Sequence, residues 1–221
     1  KELAVRAIHA HSPKQGKELV ARNAATIPES LIDAELFGNL RDYPNPGSPD
    51  RPGLLGMAHG TTLFLDEIGE LPQQMQAHLL RVMDSGEYQR LGEARRSYTS
   101  ARIIAATNRD LKQEVENGSF RQDLFFRLNV VPILIPPLKE RDADIGLLSN
   151  YFAQRFAEVS SVKPISFEKS VGEYLQAYSW PGNVRELRNL VERLTILYAG
   201  QTISVDQLPL EIRQAEVEAS L

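Results

Sequence analysis

The stretch "TTLFLDEIGELP", residues 61–72, places two adjacent acids, Asp66 and Glu67, directly after the apolar run Leu63–Phe64–Leu65. Threonines bound the run on one side, Gly69 and Pro72 on the other. The run reads as a buried strand. Burying a charge is costly unless it has a partner. The two carboxylates at the strand's end therefore either reach solvent or hold something positive. The fold follows from what flanks this strand.

On the N-terminal side, Leu3, Ala7 and Ile8 share one face of a helix. "ELVAR", 18–22, reads as a strand. "PESLIDAELFG", 28–38, reads as a helix with Pro28 in its first turn and Gly38 past its end. "NLRDYPNPGSPDRPG", 39–53, is a loop, with four prolines and two glycines between Pro44 and Gly53.

On the C-terminal side, "PQQMQAHLLRVMDSG", 72–86, is helical, apolar at Met75, Leu79, Val82 and Met83, and ends near Gly86. "EYQRLGEARRSYT", 87–99, reads as a hairpin turning at Gly92, and "ARIIAATN", 101–108, as another buried strand. "DLKQEVENG", 110–118, is a short helix stopped by Gly118. "NVVPILI", 129–135, reads as a strand that Pro132 confines to an edge or a bulge. Strands alternating with helices predict an α/β domain, a parallel sheet with helices on both faces.

After "PPLKER", 136–141, the pattern changes. No further strand is expected. Helices are expected over about 143–159, 168–178 and 183–198. Asn183 is placed to cap the last of these, with Glu186 reaching back as in a capping box, and Gly200 ends it. The expected organisation is an α/β domain over 1–138, a small helical domain over 139–208 and a C-terminal tail or linker over 209–221.

Composition excludes more than it selects. The chain has 221 residues, is 42% apolar and carries a formal net charge of −4, which gives no general reason for nucleic-acid affinity. It has no cysteine, hence no disulfide framework and no cysteine-based metal site. It has no apolar run of the roughly 18 residues a membrane helix needs, and no signal-peptide pattern. The expected setting is cytoplasmic, with no membrane partner. The chain begins at Lys1, already inside a helix, and reads as a piece of a longer protein.

Asp66 and Glu67 lie at the carboxyl end of the expected central strand, the end at which open α/β sheets bind ligands. One acid there suits a hydrated Mg²⁺, which takes few protein carboxylates and keeps several waters. A second can orient an attacking water. Thr107 and Asn108 end the next strand and would sit beside them. Taken by itself, the acid pair also fits two solvated carboxylates at a strand end.

In combination and in order, "KELAVRAIH", "AELFG", "HGTTLFLDEIGELP", "RLG", "ATNRDL", "FRQDLFFRLNV", "PPLKER" and "WPGNVRELRN" resemble the central AAA+ ATPase domain of sigma-54-dependent transcriptional activators, the bacterial enhancer-binding proteins. The resemblance runs from residue 1 to about 208. It implies a P-loop NTPase-type sheet with a helical lid. It also implies ATP and Mg²⁺ as ligands, and a ring, a hexamer or heptamer, that remodels the closed complex of sigma-54 RNA polymerase.

Residue by residue, the resemblance assigns Lys1 to the β/γ-phosphates, with Glu2 and Leu3 beside it on the nucleotide. Asp66 takes Mg²⁺ through water, and Glu67 activates water. Asn23 holds that glutamate in a switch, and Thr107 and Asn108 form sensor I. Arg121 and Arg127 are arginine fingers offered to the neighbouring subunit, and Arg185 is sensor II in the lid. Read without the family, Arg121 and Arg127 would lie roughly 120° apart on a helix, able to flank one anion. Both also fit surface arginines paired with Asp123 or neighbouring acids. Arg185 also fits a helix-surface partner of Glu186 or Asn189, and Asn23 a strand-end turn former.

Two departures stand out. A phosphate loop needs glycines before its lysine, and nothing precedes Lys1. Gly16–Lys17 only imitates such a motif, because His11 stands where the first glycine belongs. The glycines lie upstream or are missing, and a polypeptide beginning at Lys1 is expected to bind nucleotide poorly. The family's sigma-contacting signature G-A-F-T-G-A falls, counting on from Gly38, on Asp42-Tyr43-Pro44-Asn45-Pro46-Gly47, and none of the six residues matches. Tyr43, Pro44 and Asn45 are the candidate partner-binding residues.

Three readings follow. One is an ATPase motor for sigma-54 transcription. Another is an AAA+ oligomerisation or regulatory module acting on a different partner. A third is a catalytically silent scaffold. No helix-turn-helix is found in the stretch, so DNA would be reached only through a domain outside it.

Overall fold

The structure, a computed structural model, describes residues 1–219 and falls into two compact units, Lys1–Ile133 and a second that starts at Leu134. They divide a few residues before position 138.

In the first unit, α1 (Glu2–Ala10) leads to β1 (Val20–Asn23), α2 (Ile32–Phe37), α3 (Gly53–Met57) and β2 (Thr62–Asp66). Then come α4 (Gln73–Ser85), the hairpin β3 (Glu87–Tyr88) and β4 (Ser97–Tyr98), β5 (Arg102–Ala105), α5 (Leu111–Glu116) and α6 (Gln122–Leu128). β1, β2 and β5 form a parallel sheet with β2 in the middle. Leu63, Phe64 and Leu65 are buried, as a strand flanked on both sides requires. Register sets Asn23 beside Asp66 and Leu65 beside Ala105.

α4 packs Met75, Leu79 and Val82 into the core. It stops at Gly86, whose φ of +72° closes the last turn onto the Val82 carbonyl. The wholly buried Gln76 on this helix is a polar residue that the apolar spacing did not single out.

The proline-rich loop between α2 and α3 is pinned at its neck. Gly38 and Gly53 approach so closely that a Cβ on Gly53 would lie 2.3 Å from the Gly38 nitrogen, and one on Gly38 would lie 2.4 Å from the Arg51 carbonyl oxygen. Both have positive φ. Buried Asn39 exchanges backbone hydrogen bonds with Arg51, and the neighbouring backbone bonds that of Leu91 in the hairpin.

The strand expected over 129–135 does not form: the backbone there is irregular after α6, and Val130, Val131, Ile133 and Leu134 are exposed. An extended segment becomes a strand only with a ladder partner, and Pro132 lacks the N–H to pair.

The second unit holds α7 (Asp142–Ser160), β6 (Ser166–Phe167), α8 (Lys169–Ala177), α9 (Asn183–Leu197), β7 (Thr202–Ile203) and α10 (Leu210–Ala219). Its core gathers Ile145, Val171, Leu175, Trp180, Leu187, Val191 and Leu194. The Trp180 indole N–H donates to the Leu175 carbonyl at 2.7 Å, which satisfies a wholly buried ring. The parallel β6–β7 pair was not expected from the sequence; two-residue strands are too short to show an alternation.

The expected tail over 209–221 includes α10, and Leu208 and Ile212 belong to the core of this unit. Asn183 does not cap α9. Its side-chain oxygen accepts from the Leu138 N–H at 2.8 Å, while Glu186 makes the reach-back bond, to the Gly182 N–H.

Candidate active site

Three of the sequence-predicted residues meet at the carboxyl end of β2. The Lys1 ammonium lies 3.0 Å from Glu67 Oε1 and 3.9 Å from Asp66 Oδ1. The other Glu67 oxygen accepts from the Asn108 N–H at 3.1 Å. The three charged side chains are partly screened from solvent, retaining 31%, 22% and 21% exposure for Lys1, Asp66 and Glu67.

Local backbone accounts for the convergence. Glu67 takes a left-handed conformation, φ +53°, so the chain turns sharply as it leaves the strand. A non-glycine residue there is uncommon and such strain concentrates at functional sites. The turn is held by the sheet: the Ala106 N–H donates to the Leu65 carbonyl, and the Ile68 N–H donates to the Ala106 carbonyl at 2.9 Å. β5 and its exit thereby clamp the exit of β2, which delivers the Asn108 amide to Glu67.

Asn23 stands next to Asp66 in the ladder, but its side-chain oxygen accepts from the Ala25 N–H at 2.9 Å and caps the turn after β1. It does not hold Glu67 here. The Thr107 hydroxyl accepts from the Arg109 N–H. Glu2 pairs with Arg6 one turn on along α1, and Leu3 is 84% exposed.

Arg121 and Arg127 are exposed at the two ends of α6 and are not bonded to the acid pair. Arg121 grips Asp123 through two nitrogens, at 3.1 and 2.7 Å. The guanidinium holds the Asp123 carboxyl below the usual carboxylate range, and that bond raises Arg121 in turn. Arg127 donates to the Met83 carbonyl and pairs with Asp84 at 3.2 Å. Arg185, in the second unit, is exposed on the first turn of α9; Glu186, its suggested partner, bonds the Tyr178 hydroxyl and the Gly182 N–H.

Tyr43, Pro44 and Asn45 are exposed in the loop. The Tyr43 ring lies over Gly92 of the hairpin, where a Cβ would sit 2.7 Å from the ring. Two residues that sequence reasoning passed over tie these parts together. Arg90 bonds the Asn39 and Arg51 carbonyls and the Asp50 carboxylate. Gln76 bonds the Arg121 N–H. The available signal for Gln76 was weak, since it is one of three glutamines at the start of α4 and follows Met75 directly.

The arrangement suits phosphate chemistry. Among the described residues no group of three or more His, Cys, Asp or Glu could hold a metal ion. A single half-buried aspartate fits Mg²⁺, which takes most of its ligands from phosphate and water.

Comparison with known proteins gives a family match for most of the chain. Residues 1–134 match the family described as the sigma-54 interaction domain, and residues 139–220 match the AAA+ ATPase lid domain. The chain is 44% identical over 214 residues to the regulatory protein AtoC of Escherichia coli K12, covering 97% of the chain and 46% of that protein. It is 44% identical over 213 residues to the transcriptional regulator NtrC of Rhizobium meliloti, covering 96% and 44%. The crystal structure of NtrX from Brucella abortus in complex with ATP superposes with a TM-score of 0.88 at 38% identity, covering 100% of this chain and 52% of that one. The chain thus spans about half the length of the relatives it matches.

Proposed function

The chain belongs to the sigma-54 interaction domain family, and from that premise we propose that it is the ATP-driven motor of a sigma-54-dependent activator. In this reading it assembles as a ring, a hexamer or heptamer, and remodels the closed complex of sigma-54 RNA polymerase. The observation that carries the proposal is the cluster of Lys1, Asp66, Glu67 and the Asn108 amide at the end of β2.

Each residue has a definite part in hydrolysis. Lys1 binds the β- and γ-phosphates of ATP, exchanging its contact with Glu67 for phosphate oxygen. Asp66 holds Mg²⁺ through water. When bound, the ion neutralises charge developing on the phosphate oxygens. Glu67 orients the attacking water, and the Asn108 amide holds its carboxylate in place. Asn23 lies one strand over and takes hold of Glu67 in another state of the cycle. Thr107 and Asn108 report on the γ-phosphate, Glu2 and Leu3 flank the nucleotide, and Arg185 serves as sensor II. Arg121 and Arg127 serve the site of a neighbouring subunit.

NtrX, solved in complex with ATP, supports nucleotide binding by this fold. The test is Glu67→Gln in the intact protein. ATP binding should persist while turnover falls about 100-fold or more, the usual worth of a positioned general base. Turnover at the wild-type rate would remove Glu67 from this role.

A second reading, the same motor or a regulatory module acting on another partner, is favoured by one observation. The segment 42–47 that replaces the sigma-contacting signature is folded on itself, with the Asp42 carboxylate accepting from the Gly47 N–H at 2.7 Å. Binding to isolated sigma-54 separates the two.

A further inference from the structure

Gln76 is wholly buried on α4, among Met75, Leu79 and Val82. Its side-chain nitrogen donates to the Leu71 carbonyl at 2.8 Å and to the Ser119 carbonyl at 3.1 Å. Its oxygen accepts from the Arg121 N–H at 2.8 Å. Two carbonyls and one N–H leave the amide a single sensible orientation. An apolar side chain would fill this space without the cost of burying an amide, a cost offset only when its hydrogen bonds are made. All three bonds go to backbone. One reaches the chain leaving Asp66 and Glu67, and two reach the turn that starts α6.

The same helix holds the far end of α6. Met83, seven residues after Gln76 and about 10.5 Å along the axis, accepts from the Arg127 guanidinium at 2.9 Å, and Asp84 pairs with it. α4 therefore grips α6 at both of its arginines: at Arg121 through the backbone, at Arg127 through the side chain. The guanidinium of Arg121 is left outward, held by Asp123.

We infer that Gln76 is a positioning residue for the arginine face of α6. It fixes the backbone at Arg121 against the exit of β2 at Leu71, so that the exposed guanidinium is presented in one direction. The inference rests on the reading that Arg121 and Arg127 serve a neighbour's site. A defect at Gln76 then belongs to what a subunit gives, not to what it does with its own nucleotide.

The experiment uses the intact protein with Gln76→Leu, which removes donor and acceptor, and Gln76→Met, which removes both while keeping the length of the side chain. Nucleotide binding and thermal melting establish folding. ATP hydrolysis is then measured for each variant alone, mixed with Glu67→Gln chains, and mixed with Arg121→Ala chains. Gln76→Leu alone should bind ATP normally and turn over at least about tenfold more slowly, short of the 10³-fold or more of a lost arginine finger. Mixed with Glu67→Gln it should recover turnover, because its own Glu67 then meets an intact arginine face. Mixed with Arg121→Ala it should not recover, since both chains lack the same contribution. Gln76→Met should follow the same pattern, and it carries the test if Gln76→Leu does not fold.

Wild-type turnover of the folded variants would overturn the inference. So would a failure to recover with Glu67→Gln in rings where Arg121→Ala does recover. If Arg121→Ala and Glu67→Gln chains themselves fail to complement in mixed rings, the reading of the arginines falls, and the inference with it.

Discussion

The Lys1 ammonium and the Glu67 carboxylate sit 3.0 Å apart at the end of the central strand. The cation proposed for phosphate and the carboxylate proposed for water thus hold each other. Both are partly exposed, so the pair is worth little by itself and yields readily to a better anion. A hydrogen bond to a charged group contributes about 1.5–3 kcal/mol, and each 1.4 kcal/mol is about tenfold in affinity. Lys1→Ala in the intact protein is expected to weaken ATP binding at least about tenfold. Unchanged affinity in a titration would place the phosphates elsewhere.

Arg127 lies at the end of α6 away from its own acid pair, tied to Met83 and Asp84. Arg127→Ala should cut turnover by about 10³-fold or more, the scale of an arginine finger. Mixed with Glu67→Gln chains it should regain part of the rate, at sites pairing an intact Glu67 with an intact Arg127. Mixed rings that form and stay silent would count against action between subunits.

The glycine neck of the loop gives a structural prediction. Gly38→Ala brings a Cβ to 2.4 Å from the Arg51 carbonyl at a φ of +84°. Strained backbone of this kind costs on the order of 1–3 kcal/mol. A lowered melting temperature is expected, with loss of partner engagement exceeding loss of ATP binding. A Gly38→Ala protein that melts and engages its partner like wild type would show the neck to be dispensable.

What the sequence made legible depended on the range of the interaction. β2 could be read because three consecutive apolar residues followed by two acids have few alternatives. β1 and β5 followed as its neighbours, and their register delivered Asp66 and Asn108 to one place. The strand expected over 129–135 was misread because apolar content does not reveal whether a ladder partner exists. Asn183 was misread because its partner, the Leu138 N–H, lies 45 residues away in sequence. Gln76 was missed for the same reason: its meaning resides in Ser119 and Arg121, which no local periodicity connects to it.

Tyr43 is 44% exposed, with its ring against Gly92 of the hairpin. Aromatic residues commonly dominate contact energy. Tyr43→Ala should leave ATP hydrolysis nearly intact while abolishing open-complex formation at a sigma-54 promoter, both read from one preparation. Retained open-complex formation would move the contact to another residue of the loop.

The most direct measurement is open-complex formation at a sigma-54 promoter by the intact protein, with ATP and beside the Glu67→Gln variant. The wild-type protein is expected to bind sigma-54 and to open the promoter with ATP, and Glu67→Gln to bind without opening it. A wild-type protein that hydrolyses ATP but neither binds sigma-54 nor opens the promoter would contradict this, and would leave the motor working on a different partner.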